Sequence, residues 1–290
     1  MNNDNFVRVE ERPLFFDSTG TTSPFTNTRT FSYGEGNYGN VKDFKAIVNP
    51  ETEKIISVVG SGYQLVQNAD IFPQYDEAIE LSDLNTNGMN RKVYTSHSGG
   101  RTKVEYTFPE HRVAIRDNDE IDLTLTVLNS YDTSWRFRSI LGAFRLLCTN
   151  GMIIGTAFQQ YAHKHTLNLD TDRAIKDLAL SLDFFEENAN SWKEYPNVRV
   201  NAFQVDRVFK ALAKDSKSIR VALDESHEGY VRRLGDNLWA LFNTLTHWST
   251  HYKVRNEDNT SSIVLNREDK VRKVLPMLDD IRWSPKPEPF

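Results

Sequence analysis

Cysteine occurs once in the 290 residues, at Cys148. An intrachain disulfide is therefore excluded, and a reducing cytoplasm is the natural setting. Long apolar runs are also missing. No stretch approaches the length of a membrane span, so no membrane partner is expected. The Asn-rich, acidic N-terminus has no apolar segment of the kind a signal peptide needs. No Gly-Lys-Ser/Thr occurs, and Gly60-Ser61-Gly62 lacks the third glycine of a dinucleotide-binding turn. Charge of one sign is not in large excess either. The formal net charge is −5, which argues against a wholly basic surface built to coat duplex nucleic acid.

What is present suffices for a real core: 39% hydrophobic residues, 11% aromatic, with five Trp and seventeen Phe. Residues 1–45 stand apart, rich in Ser, Thr, Asn and Gly, with Phe25, Phe31, Tyr33 and Tyr38 scattered among them. They read as an N-terminal arm, either a mobile tail or a segment that docks on a neighbour through those aromatics. Residues 46–155 read as β-rich. Lys54 to Val59 is a strand, and Asn68 to Leu81 a short helix that Pro73 limits to a late start. Lys103 to Phe108, Arg112 to Arg116 and Ile121 to Val127 alternate at period two, and Trp135 to Cys148 returns as a long strand. From 156 to 280 the period becomes helical. Ile175, Leu178, Leu182 and Phe185 share a stripe, as do Val205, Val208, Phe209 and Leu212. One helix is expected from Gly229 to His251 and a last one from Arg267 to Leu275, before an extended tail over 281–290. The fold class is α+β: an antiparallel β-meander in the N-terminal half, then a helical C-terminal half packing on it.

Three stretches together resemble a known family. The first is Val58-Val59-Gly60-Ser61-Gly62-Tyr63-Gln64-Leu65-Val66-Gln67-Asn68. The second is the turn Asn129-Ser130-Tyr131-Asp132 with the run from Arg145 to Asn150-Gly151. The third is Asn237-Leu238-Trp239-Ala240-Leu241-Phe242-Asn243-Thr244-Leu245-Thr246, ending at His251. In order and spacing they resemble the phage/plasmid-like protein family that carries domain of unknown function 932, over roughly residues 55–252. The resemblance implies origin in a phage, prophage or plasmid, and no settled activity. It marks Gly62, Tyr63, Gln67, Asn129, Asp132, Arg145, Asn150, Gly151, Trp239, Asn243 and His251 as pattern residues. A β-hairpin sheet followed by helices is also similar, at the level of fold, to phage single-strand annealing proteins.

No constellation announces catalysis, so the expectation is a non-enzymatic protein without cofactor. His247 and His251 share a helix face, but no third metal ligand is evident, and polar packing at a helix end accounts for them. Cys148 in its apolar run reads as a small buried hydrophobe. Asp117, Asp119, Glu120 and Asp122 read as a solvated hairpin tip. Asn129, Asp132 and Asn150 suit turns, and Arg145 is expected to pair with a buried carboxylate or carbonyls. Between residues 91 and 148 there are nine Lys or Arg against seven Asp or Glu. If Arg112, Arg116, Arg136 and Arg138 converge on an open sheet face, with Arg101 and Lys103 beside them, they form a groove for a phosphate backbone. Tyr106, Tyr131 or Trp135 would then stack on bases.

Two functions follow as expectations. One is a single-stranded nucleic-acid binder or annealer that works as a homo-oligomer. The other is a phage anti-defence protein that blocks a host immune complex through protein–protein contacts, its acidic charge complementing basic host surfaces.

Overall fold

The computed structural model describes residues 6–17, 31–33, 38–145, 150–153, 160–163, 165, 181–253 and 260–283. Four strands come first: β1 (Glu10–Asp17), β2 (Phe31–Tyr33), β3 (Tyr38–Asn49) and β4 (Lys54–Gly60). They form an antiparallel sheet in the order β2-β1-β3-β4. Helix α1 (Asn68–Glu80) follows, with Pro73 in its second turn, so the proline does not delay its start. Six more strands make a second sheet: β5 (Asn90–Ser96), β6 (Arg101–Arg116), β7 (Asp119–Ser130), β8 (Phe137–Arg145), β9 (Asn150–Ile153) and β10 (Gln160–His163). Its order is β10-β8-β7-β6-β5, and β9 also pairs with β8.

Alternation on β6 assigns its faces. Thr102, Val104, Tyr106 and Phe108 are buried, while Arg101, Lys103, Glu105 and Thr107 keep part of their surface. Through the register, Leu125 and Val127 of β7 join the first face and Leu128 joins the second. Helix α1 covers the first face: Ile71, Phe72, Tyr75 and Ile79 share a core with Val104 and Tyr106, and the Tyr106 hydroxyl donates to Asp76 at 2.7 Å. Each such fully buried large side chain contributes about 1.5–3 kcal/mol. The second face is capped at one end by the last helix, where Leu265 meets Leu128, Trp135 and Ile140.

The helical half holds α2 (Ser181–Glu194), a 3-10 turn (Tyr195–Asn197), α3 (Ala202–Ala213), α4 (Lys217–Leu234), α5 (Leu238–His251) and α6 (Thr260–Trp283). Side-chain caps fix three starts: Asn201 in a capping box with Gln204, Ser216 accepting from Ile219, and Asn237 accepting from Ala240. Helix α5 is buried nearly all round, from Leu238 to Trp248, as expected of a central helix. No described helix is long and apolar enough to cross a membrane.

The antiparallel meander followed by helices agrees with the sequence reading, with four differences. Residues 10–17 and 38–45 lie in paired strands, not in an arm that lacks regular structure. Phe31 and Tyr33 pair with β1, Tyr38 pairs with Asp17, and Phe25 lies outside the described residues. The two strands expected around Pro109 are one, with a register shift between Phe108 and Arg112. Proline removes a ladder donor there, and a bulge absorbs the loss without ending the strand. The helix expected from Gly229 to His251 is two helices. Gly235 breaks it at φ 89° and ψ 168°, a conformation open essentially to glycine alone. The last helix runs from Thr260 to Trp283, beyond both of its expected ends.

A side chain at Gly235 would have to hold this backbone, with the Asn237 amide 3.3 Å from the new Cβ. Gly235→Ala should lower stability by about 1–3 kcal/mol, read as a shift in the urea midpoint.

Candidate functional site

The first two stretches of the family pattern meet at one buried polar junction. Next to the end of β7 stands Asn129, whose amide donates to the Val66 carbonyl and to the Asn68 side-chain oxygen, both at 2.8 Å. The Asn68 amide donates in turn to Thr102 Oγ1 at 2.9 Å. The Asn68 backbone N–H donates to the Tyr131 hydroxyl at 2.8 Å, and the Tyr63 hydroxyl donates to the Ser130 carbonyl at 2.6 Å. Gln67 brackets Val9 with two bonds, tying the start of β1 to α1. Ser57 of β4 donates to the Tyr131 carbonyl at 2.5 Å. The His165 ring stacks on Tyr63 with centroids 4.9 Å apart. Gly100 lets the β5–β6 turn approach β4, since a Cβ there would lie 3.0 Å from both the His97 carbonyl and Ile56 Cγ2. Gly62, by contrast, has open space around its Cα.

The expected arginine groove does not assemble. Arg112 lies opposite Asp122 on β7, whereas Arg138 lies opposite Leu128 on the same strand, roughly 20 Å away along the sheet. Most of the cations face carboxylates of the chain itself. Arg101 donates to Asp132 at 2.6 Å, Arg112 pairs with Asp122 at 2.7 Å and Glu120 at 3.3 Å, and Arg138 pairs with Asp269 at 3.2 Å. Lys103 pairs with Glu105 at 3.0 Å and sits over the Tyr94 ring. Arg116 donates to the Leu234 carbonyl at 3.4 Å, which helps close the end of α4. The stacking role also fails for two rings, because Tyr106 is fully buried and Tyr131 is 2% exposed. Trp135 is 8% exposed and its indole donates to Ser262 at 2.9 Å.

One opening remains at this end of the sheet. A cleft of about 180 Å³ lies between the turn before β8 and the first turns of α6, bordered by Trp135, Arg136, Arg138, Asn266 and Asp269. Arg136 is exposed at its rim and, among the described residues, has no acidic partner. Beside it the surface is committed: Asp269 also accepts from Arg272 at 2.8 Å, and Arg101 reaches Ser262 at 3.0 Å.

Only part of the acidic hairpin is a solvated tip, because Asp117 is exposed while Asp119 and Asp122 are not. Asp119 and Asp122 are 1% and 2% exposed. Asp119 accepts the indole N–H of Trp239 at 2.8 Å, which joins the third stretch of the family pattern to the β6–β7 turn. Asn243 donates to the Trp239 carbonyl at 2.7 Å inside α5. Nothing in the spacing of Asp119 and Trp239, 120 positions apart, announces this bond. The backbones of Arg145 and Asn150 pair across β8 and β9, and Gly151 pairs with Phe144. The Arg145 side chain and all of Cys148 lie outside the described residues. The rings of His247 and His251 lie 4.9 Å apart, tilted at 41° to each other, and no group of three or more His, Cys, Asp or Glu suited to a metal ion occurs among the described residues.

Two groups, buried His165 and half-buried Glu268, carry opposite pH dependences. Burial pushes the His165 pKa down to about 4 against the ordinary 6.5, with the Gln64 carbonyl opposing weakly. The native state then binds fewer protons than the unfolded chain between those values, so stability is lost as pH falls through them. Burial pushes the Glu268 carboxyl up to about 7 from 4.5, against the pull of Lys103 and Arg272. Here the native state binds more protons, so stability is lost as pH rises from 4.5 to about 7. Glu268→Gln should therefore be more stable than wild type above neutral pH and equal to it below the lower value, measured by urea unfolding across pH. Asn129→Ala strands the Val66 carbonyl and the Asn68 side chain, and should cost about 2 kcal/mol in the same measurement.

No curated protein and no solved structure matches the chain. A family model does, over residues 55–269, which spans the junction, the six-stranded sheet, α5 and the first turns of α6. With the three motif stretches joined through Asn129, Tyr131 and Trp239, the chain belongs to the family described as Domain of unknown function (DUF932).

Proposed function

We propose that the chain is a phage- or plasmid-encoded protein of the host cytoplasm that acts as an oligomer, without catalysis. It binds a host defence complex through protein–protein contacts. The observation that carries this reading is the engagement of the arginines. Arg101, Arg112 and Arg138 meet Asp132, Asp122 and Asp269, so among the described residues the sheet offers no row of free guanidiniums to a phosphate backbone. Apolar surface is offered elsewhere. Phe44, Ile55 and Val58 are 50%, 40% and 51% exposed on β3 and β4. The register sets Ile55 opposite Val48 and Val58 opposite Ala46, so these side chains share one face with Phe44. Exposed apolar residues grouped on one face mark contact surfaces, and the net charge of −5 suits a basic partner. The mobile-element origin is supported by the motif resemblance in Val58–Asn68, Asn129–Asp132 and Asn237–His251.

A second reading, single-stranded nucleic-acid binding or annealing, is favoured by one feature, the Arg136 rim of the cleft beside Trp135. One experiment separates the two. Tagged full chain and Val58→Asp are expressed in the host, and the purified wild type is offered single-stranded oligonucleotide at low salt. Protein binding predicts a stoichiometric host complex with wild type, about tenfold less of it with Val58→Asp, and no oligonucleotide retention. Oligonucleotide retention that Arg136→Glu abolishes, with no protein recovered, overturns the first reading in favour of the second.

A further inference from the structure

His247 and His251 occupy positions four apart at the C-terminal end of α5, so both rings project from one face. We propose that this pair binds a divalent transition-metal ion, zinc or copper in class, with water completing the coordination shell. Three observations carry the proposal. The first is ring placement. Two imidazoles bound to one ion at ordinary zinc–nitrogen distances have ring centres about 4.5–5.2 Å apart; the rings of His247 and His251 are 4.9 Å apart before any ion is added. The second is orientation. His247 Nδ1 lies 3.3 Å from the hydroxyl of buried Tyr230 on α4. In the tautomer that carries its proton on Nδ1, His247 donates to Tyr230 and presents the Nε2 lone pair to the ion, the arrangement by which a neighbouring oxygen fixes a metal-binding imidazole. The third is accessibility. His251 is exposed and His247 is half-buried, so both rings are open to solvent.

The electrostatic setting is mixed. The negative end of the α5 dipole favours a cation at the last turn. Arg233, which lies over the Tyr230 ring, opposes one. His227 on α4 is a different case. Its Nδ1 sits 3.0 Å from Thr244 Oγ1 and its ring packs edge-on against Phe209, so it belongs to the helix–helix contact and not to the site. With two protein ligands and open positions, imidazole chemistry selects zinc, copper or nickel over calcium and magnesium.

The test is calorimetric titration of the full chain with zinc sulfate at neutral pH, alongside three variants. Wild type should bind one zinc ion per chain. His251→Ala, at an exposed position, should fold as wild type and lose at least about tenfold in affinity. Tyr230→Phe should weaken binding several-fold while leaving the stoichiometry at one, and His227→Ala should leave the isotherm unchanged. Absence of zinc binding by wild type overturns the proposal, and so does a His251→Ala isotherm that matches wild type.

Discussion

A buried amide or hydroxyl without a partner costs about 1–3 kcal/mol, and the chain places a whole set of them where its layers meet. Asn68, Thr102, Asn129 and Ser130 are all 5% exposed or less. They sit where the four-stranded sheet, the start of α1 and the end of β7 converge. Bonds from this junction reach each layer: Asn129 holds the segment before α1, Tyr63 the end of β7, and Ser57 the turn after it. Apolar contacts alone would allow these layers to slide. Hydrogen bonds of fixed direction permit one arrangement, and every other part of the β half is positioned by it.

The same logic governs the charges. An arginine on a half-covered sheet face is stabilised most by a carboxylate held within reach, and this chain supplies one at Asp132, Asp122 and Asp269. Two of these acids come from the neighbouring strand or its turn, and the third from a helix 131 positions further on. These pairs staple β6 to β7, and β8 to the last helix. Cations that look free when read along the sequence are thus part of the scaffold.

Much of the architecture was legible. Period-two alternation in Lys103–Phe108 and Ile121–Val127 marked β6 and β7 correctly, because apolar residues recur at every second position on the core face; β7 is covered on its other face too, where Asp122, Thr124 and Leu128 are buried. The stripe Val205, Val208, Phe209, Leu212 marked α3 for the analogous reason. Other features were not legible. Gly235 in a helical pattern costs only about 1 kcal/mol by propensity and did not announce that it ends a helix. Residues 10–17 show no clear period, yet their backbone finds partners in β3.

The sequence by itself determined the succession of strands and then helices, and the family, because these depend on neighbours within a few residues or on motifs in fixed order. Only the tertiary structure decided which acids neutralise which arginines, that Asp119 lies beneath Trp239, and that His247 rests on Tyr230. Those contacts depend on how layers close over one another, and partners more than a hundred positions apart leave no mark in local periodicity.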